Sequence, residues 1–164
     1  TPFRCRSEIA IIFGGETMIR SMTILDYERI YKLWSTTEGM GLRSIDDSKA
    51  GIERFLKRNP RTSFVAEVGR EIVGAIICGH DGRRGYIYHL AVKENLRGKG
   101  IGRQLAARAC QALKDEGITR CGLFVYVEND IGKNFWLSQG WATRPDLVYY
   151  DYSLSPDNRD ISQN

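Results

Sequence analysis

Histidine is scarce in this chain. There are two, His80 and His89, and the four cysteines, Cys5, Cys78, Cys110 and Cys121, lie far apart with no Cys-x-x-Cys pair. These are too few nitrogen and sulfur ligands, at the wrong spacing, for a zinc cluster, so no metal centre is expected. Cys78 and Cys121 fall in apolar, strand-like runs and Cys110 in a helix-like one. They read as buried free thiols of a cytoplasmic protein rather than as a disulfide framework. No apolar run approaches the roughly 18 residues of a membrane span, so no membrane partner is expected. The excess of positive charge is small, +4. It favours an anionic ligand, but a nucleic-acid partner calls for a stronger basic patch.

What is present is one domain's worth of ordinary globular composition: 164 residues, 42% hydrophobic and 27% charged. Residues 1–17 carry an apolar patch, Ile9-Ala10-Ile11-Ile12-Phe13, that is too short for the apolar core of a signal peptide. Codons for Gly14-Gly15-Glu16-Thr17-Met18 can contain a bacterial ribosome-binding sequence just before a start codon. We therefore expect translation to begin at Met18, with residues 1–17 an untranslated leader read as protein. The alternative is a genuine N-terminal extension, such as an added β-strand. The domain proper is expected over residues 18–154, followed by a polar, disordered tail over 155–164.

Within the domain, a strand is expected over residues 18–22. Leu25, Ile30, Leu33 and Trp34 then recur at helical spacing over 25–37. A glycine-containing loop over 38–44 leads to Asp46-Asp47-Ser48, whose side-chain oxygens can cap a second helix over 48–58. Asn59-Pro60 ends that helix. Strands over 63–68 and 71–78 flank a Gly69-Arg70 hairpin turn. A polar turn over 79–84 precedes a strand over 85–92. Leu105, Ala106, Ala109 and Leu113 stripe a long helix over 101–116, closed by Gly117. A strand over 121–127, a helix over 129–139 and a last strand over 149–154 complete the chain. The order is β-α-α-β-β-β-α-β-α-β with no internal repeat. Hairpins make part of the sheet antiparallel and the βαβ unit makes part parallel. The fold class is thus α/β (α+β), a mixed, mostly antiparallel central sheet with helices on both faces.

The densest chemical signal lies over residues 90–103, where an apolar strand runs into a basic, glycine-rich turn and then a helix. Glycines let several backbone N–H groups converge on one place, and the helix start adds free N–H groups and the positive end of its dipole. That is a site for phosphates. A magnesium-assisted triphosphate loop needs Ser or Thr after Gly-Lys, and Gly98-Lys99 is followed by Gly100. A dinucleotide fingerprint needs G-x-G-x-x-G in the first turn of a βαβ unit, and Gly98, Gly100 and Gly102 have neither that spacing nor that place.

A third pattern, [Gln/Arg]-x-x-Gly-x-[Gly/Ala], is met by Arg97, Gly100 and Gly102. It resembles the acetyl-CoA loop of the GNAT family of N-acetyltransferases. Asn129-x-x-Gly132-x-x-Phe135-Trp136-x-x-x-Gly140-Trp141 is similar to a second motif of that family, and the element order agrees over nearly all of residues 18–154. Within the family the chain looks closest to small bacterial acetyltransferases of unassigned substrate, and more distantly to the ribosomal-protein alanine acetyltransferases. The resemblance implies the GNAT fold and acetyl transfer from acetyl-CoA, without metal, directly to an amine acceptor. It leaves a homodimer open. It further implies that Leu90, Ala91 and Val92 offer backbone groups to the pantetheine arm. Amides of Arg97, Gly98, Lys99, Gly100, Ile101 and Gly102, with Arg103, would hold the pyrophosphate. Asn129 would contact pantetheine, and Lys133 would lie near the phosphorylated adenosine.

The chain departs from the family at Trp136, where a Tyr is proposed to protonate the departing thiolate, and an indole N–H is no practical acid. Tyr126 or Tyr149 is then a candidate acid. The ribosomal alanine enzymes carry a Glu base where this chain has Phe124. Candidate bases here are His89, an imidazole being a side chain suited to proton transfer, and Glu128. The alternative function is a non-catalytic CoA-binding sensor or interaction domain.

Overall fold

The computed structural model describes residues 10–12 and 15–162. Six strands pair in sequence order: β1 (Ala10–Ile12), β2 (Gly15–Ser21), β3 (Phe64–Val68), β4 (Glu71–His80), β5 (Gly85–Val92) and β6 (Cys121–Leu123). All neighbours are antiparallel except β5 and β6. Four helices cover the sheet: α1 (Tyr27–Ser35), α2 (Lys49–Arg58), α3 (Ile101–Asp115) and α4 (Asp130–Ser138). Ile30, Leu33 and Trp34 of α1 and Ile52 and Leu56 of α2 bury against Val65, Ala75, Ile77 and Ala91. On the other face Ile101, Leu105, Ala109 and Leu113 of α3 and Trp136 of α4 bury against Phe64, Ala66, Ile76 and Ile87. The expected mixed sheet with helices on both faces is what forms.

A charged cluster pins α1 to the sheet. Asp26, 2% exposed, accepts from Arg20 Nη1 and Nη2 at 2.9 and 2.7 Å, from Arg29 Nη2 at 2.8 Å and from the Thr23 amide at 2.9 Å. Burial alone would raise the Asp26 carboxyl. The Arg20 hydrogen bonds and the Thr23 amide outweigh burial and hold it below its ordinary range. Glu67 closes the cluster by accepting from both arginines, and its carboxyl is also depressed, chiefly by Arg20.

Several expectations change. Leu25, read as part of the apolar stripe of the first helix, is 89% exposed because it precedes α1 in a short 3-10 turn. The strand expected over 121–127 ends at Leu123, and the last strand, expected over 149–154, does not form. That segment passes β6 with a ring contact between Phe124 and Tyr149, at 4.5 Å between centroids, but without a ladder. β-propensity reports packing opportunity, and a three-residue β6 offers little edge to pair with. The tail is not free. Ser44 donates its amide to the Arg159 carbonyl at 2.8 Å, Ile161 donates to the Leu42 carbonyl at 2.9 Å, and Asn158 Nδ2 donates to Asp46 at 2.8 Å. β2 begins at Gly15 and pairs Thr17 with both Ala10 and Val68. Residues 1–9, 13 and 14 of the expected leader, Cys5 among them, and the last two tail residues lie outside the described residues.

Candidate active site

β5 is the organising element. Its ladder with β6 stops at Ile87 and Leu123, while its ladder with β4 continues to Val92. Residues 89–92 therefore pair on one side only, and the strands part. The gap opens into a cleft of about 2090 Å³ lined by β5, the 96–103 turn, the 123–132 segment, α2 and the 37–47 loop. An unpaired strand edge presents N–H and C=O groups that an amide-bearing chain can join as an added strand. Leu90, Ala91 and Val92 lie on that edge.

Beyond Val92 the chain makes a 3-10 turn over Glu94–Leu96 and enters the glycine loop. Gly98 (φ 75°) and Gly100 (φ 84°) are left-handed, a conformation costly for any residue with a Cβ. Gly100 caps α3 without a side-chain hydrogen bond, so the first N–H groups of the helix stay available. Gly102 serves packing instead: a Cβ there would lie 3.3 Å from the Phe135 ring. Arg97, Gly98, Lys99, Gly100, Ile101, Gly102 and Arg103 all line the cleft, at its β5 C-terminal end. An open strand edge leading into this cradle fits the amide-bearing arm and the pyrophosphate of acetyl-CoA.

Asn129 also lines the cleft. Its Oδ1 accepts from the Gly132 amide at 2.9 Å and so caps α4, and its Nδ2 lies 3.5 Å from where a Cβ on Gly39 would stand. Lys133 is not brought to the cleft. It donates to the Val127 carbonyl at 2.6 Å and pairs with Asp130 at 2.7 Å. The resemblance implied a place near the phosphorylated adenosine; in the structure these local partners hold its ammonium against the preceding loop. The 79–84 turn does not line the cleft and is tied to the end of α3 through His80 and Glu116. Trp136 is 9% exposed and packs edge-on against Phe135 and Trp141, as a core residue does.

Of the titratable candidates, His89, Tyr126, Tyr149 and Glu128 all line the cleft. A bulge re-aims His89. Cys78 pairs with Ile87 but Ile77 pairs with His89, so Tyr88 is an extra residue and Ile87 and His89 fall on opposite faces. His89 Nε2 then meets Asp47 Oδ1 at 2.7 Å, and the ring stacks edge-on against Trp34 at 4.9 Å. Asp47 is 6% exposed, and its Oδ2 accepts from the Arg43 amide at 2.6 Å. The Tyr27 hydroxyl donates to the Asp47 carbonyl at 2.8 Å. A carboxylate only accepts, so the imidazole carries its proton on Nε2 and leaves Nδ1 as the basic nitrogen. Nδ1 has no hydrogen-bond partner among the described residues. Tyr126 sits on the roof: a Cβ at Gly41 would meet its hydroxyl at 2.4 Å.

Sequence reasoning missed Asp47, which it read as a helix cap. Ser48 alone caps α2, through the Gly51 amide at 3.1 Å. Two acids preceding a sufficient cap were the available signal.

The chain matches the model of the acetyltransferase (GNAT) family over residues 27–141. It is 38% identical over 105 residues to acetyltransferase SG1711 of Sodalis glossinidius, an alignment covering 64% of this chain and 72% of that one. Its fold is similar to that of Ard1 from Thermoplasma volcanium (TM-score 0.68, 22% identity, 77% of this chain and 82% of that one). It is also similar to the PaiA N-acetyltransferase of Thermoplasma acidophilum, solved with coenzyme A (TM-score 0.64, 21% identity, 74% and 87%). The open β5 edge, the left-handed glycine loop and this match over most of the chain together place the protein in the GNAT family, as an acyltransferase that uses acetyl-CoA.

Proposed function

We propose that the protein acetylates a primary amine, with His89 as general base. The observation that carries this reading is the His89–Asp47 pair at the cleft wall, one residue from the Leu90–Val92 edge. When bound, acetyl-CoA supplies an electrophilic thioester carbonyl and a thiolate leaving group. His89 Nδ1 accepts the proton that the acceptor's ammonium must lose before attack. Asp47 is a positioning residue: it keeps the other imidazole proton on Nε2 and, as a counter-ion, stabilises the positive charge that the His89 ring gains. An N–H on the unpaired β5 edge is available to the oxyanion. The Tyr126 hydroxyl is the acid candidate that replaces the Tyr missing at Trp136. Glu128, exposed at the turn before Asn129, is the weaker base candidate, because no side-chain partner among the described residues orients it. Asn129 acts by capping α4 and meeting pantetheine.

Thiol release from acetyl-CoA with a panel of amines tests the reading. Turnover that falls at least about 100-fold in His89→Gln, the lower range for a general base, supports it. Acetyl-CoA binding without turnover of any amine would instead favour the sensor reading. We also place the protein in the cytoplasm, where thiols such as the unbridged Cys78, Cys110 and Cys121 stay reduced, and without nucleic-acid or membrane partners. We propose that it works as a homodimer. Val148, Tyr150, Tyr152 and Leu154 of the segment beyond β6 are 77%, 89%, 85% and 93% exposed, apolar surface that a second copy would cover.

A further inference from the structure

The acceptor end of the cleft is electrostatically lopsided. α2 presents Ile52, Arg54, Phe55 and Arg58 to it. Arg54 and Arg58 are four residues apart and so neighbour each other on one helix face. Neither has an ion-pair or hydrogen-bond partner among the described residues, whereas Lys49 and Lys57 of the same helix pair with Glu28 at 3.3 Å and Glu53 at 3.2 Å. The acids on the facing loop keep their charges but direct their oxygens to partners other than these arginines. Asp47 holds His89 and the Arg43 amide, Asp46 accepts from Asn158 at 2.8 Å, and Arg43 faces Asp160. The cleft's other carboxylates gather elsewhere. Glu38 adjoins Gly39, which faces Asn129, Glu128 adjoins Asn129 itself, and Asp130 pairs with Lys133.

These two arginines are not placed for the donor's phosphates. Phe55, between them in sequence, packs edge-on against Tyr88 at 5.7 Å and would meet a Cβ on Gly79 at 2.7 Å. Gly79 pairs with Tyr86 near the start of β5, while Arg97–Arg103 lie past its end. Tyr88 immediately precedes His89. An acceptor with its amine at His89 thus has the Phe55 and Tyr88 rings and the two guanidiniums beside it.

We propose that the acceptor is a primary amine that also carries a carboxylate or phosphate, and that Arg54 and Arg58 bind this anion. This rests on the reading of the cleft as an amine site served by His89. Guanidinium forks match both oxyanions with paired, charge-assisted hydrogen bonds. The same two charges repel polyamines and aminoglycosides.

The test is acetyl-CoA thiol release with matched acceptors: phosphoethanolamine against ethanolamine, a glycine-containing dipeptide acid against its amide, and spermidine. The anionic member of at least one pair is expected to exceed its neutral partner about tenfold in kcat/KM, the worth of one charge-assisted hydrogen bond. Which pair shows the gap tells phosphate from carboxylate. R54A/R58A brings the anionic amine down to its neutral partner, and R54E/R58E reverses the order. Both positions are exposed, and thermal unfolding of each variant checks the fold. Equal rates within both pairs, preference for spermidine, or a gap that survives R54A/R58A overturns the proposal while leaving amine acetylation standing. Absence of turnover with every amine overturns both.

Discussion

Asp47→Asn discriminates a positioning carboxylate from a merely structural one. Asp47 accepts two hydrogen bonds with its two oxygens, from His89 Nε2 at 2.7 Å and from the Arg43 amide at 2.6 Å. Asn offers one oxygen and one NH2, so it cannot serve both donors. If its oxygen stays with Arg43, its NH2 faces His89 and forces the proton onto Nδ1, which blocks the base. If its oxygen turns to His89, an N–H opposes the Arg43 N–H in a buried site. An unsatisfied group of this kind costs about 1–3 kcal/mol of stability. Activity is bounded by the worth of the base, about 10² to 10⁴-fold. We expect kcat to fall within that range, with KM for acetyl-CoA held near wild type because the 97–103 loop is untouched. In the double variant H89Q/D47N the losses should not add: kcat should match His89→Gln alone, since Asp47 has nothing left to position. Steady-state thiol release and urea unfolding supply all of these values. Wild-type kcat in an Asp47→Asn of undiminished stability, or additive losses in the double variant, would refute the reasoning.

Four further outcomes follow from the same geometry. Asp26→Asn removes the centre of the Arg20–Arg29–Glu67 cluster and should cost about 2–3 kcal/mol at neutral pH by denaturant unfolding. That is below the 3–5 kcal/mol of a fully buried pair, because the side chains of Arg20 and Arg29 are 30% and 41% exposed. Since the folded state depresses the carboxyls of Asp26 and Glu67, their contribution is present above the ordinary carboxylate range and is lost as pH falls through the depressed values. The wild-type stability should therefore drop below about pH 4, and that drop should shrink in Asp26→Asn. Gly100→Ala puts a Cβ on a left-handed residue and should cost about 1–2 kcal/mol and weaken acetyl-CoA binding, read by thermal shift with and without ligand. Y150D/Y152D should convert a dimer to a monomer in sedimentation velocity without a change in far-UV circular dichroism; an unchanged sedimentation coefficient would remove this surface as an interface.

How far the structure was legible depends on how local each signal is. The stripe Leu105, Ala106, Ala109 and Leu113 is buried as its spacing requires, because helical periodicity is a property of adjacent turns. The glycine loop is equally local: left-handed Gly98 and Gly100 sit in one short stretch between β5 and α3. What escaped depends on distant partners. The Tyr88 bulge is a register shift between two strands and leaves no mark on β5 alone. The tail reads as polar and free, but its polar groups find the 42–46 loop more than a hundred residues upstream. The last strand failed for the converse reason: its alternation is strong, but no ladder is there to meet it.

The same distinction explains why the donor could be named from the chain while the acceptor needed the fold. The donor site is largely main chain from one contiguous segment, so the residues that build it announce it. The proposed acceptor site is side chains from several segments that line the cleft: Asp47 from the loop before α2, Arg54 and Arg58 from α2, His89 from β5 and Tyr126 from beyond β6. Singly each has an ordinary reading as a cap, a solvated helix residue, a sheet histidine or a packing tyrosine. Only their convergence, with the oxygens of Asp46 and Asp47 hydrogen-bonded elsewhere and Arg54 and Arg58 without an ion-pair partner among the described residues, motivates an anion at this end of the cleft. Acceptor preference in this protein should therefore move with the charge on α2 and leave acetyl-CoA affinity alone. Titrating acetyl-CoA into R54E/R58E checks this separation: a Kd within about twofold of wild type is expected, whereas a loss of about tenfold or more would mean that the arginines serve the donor's phosphates instead.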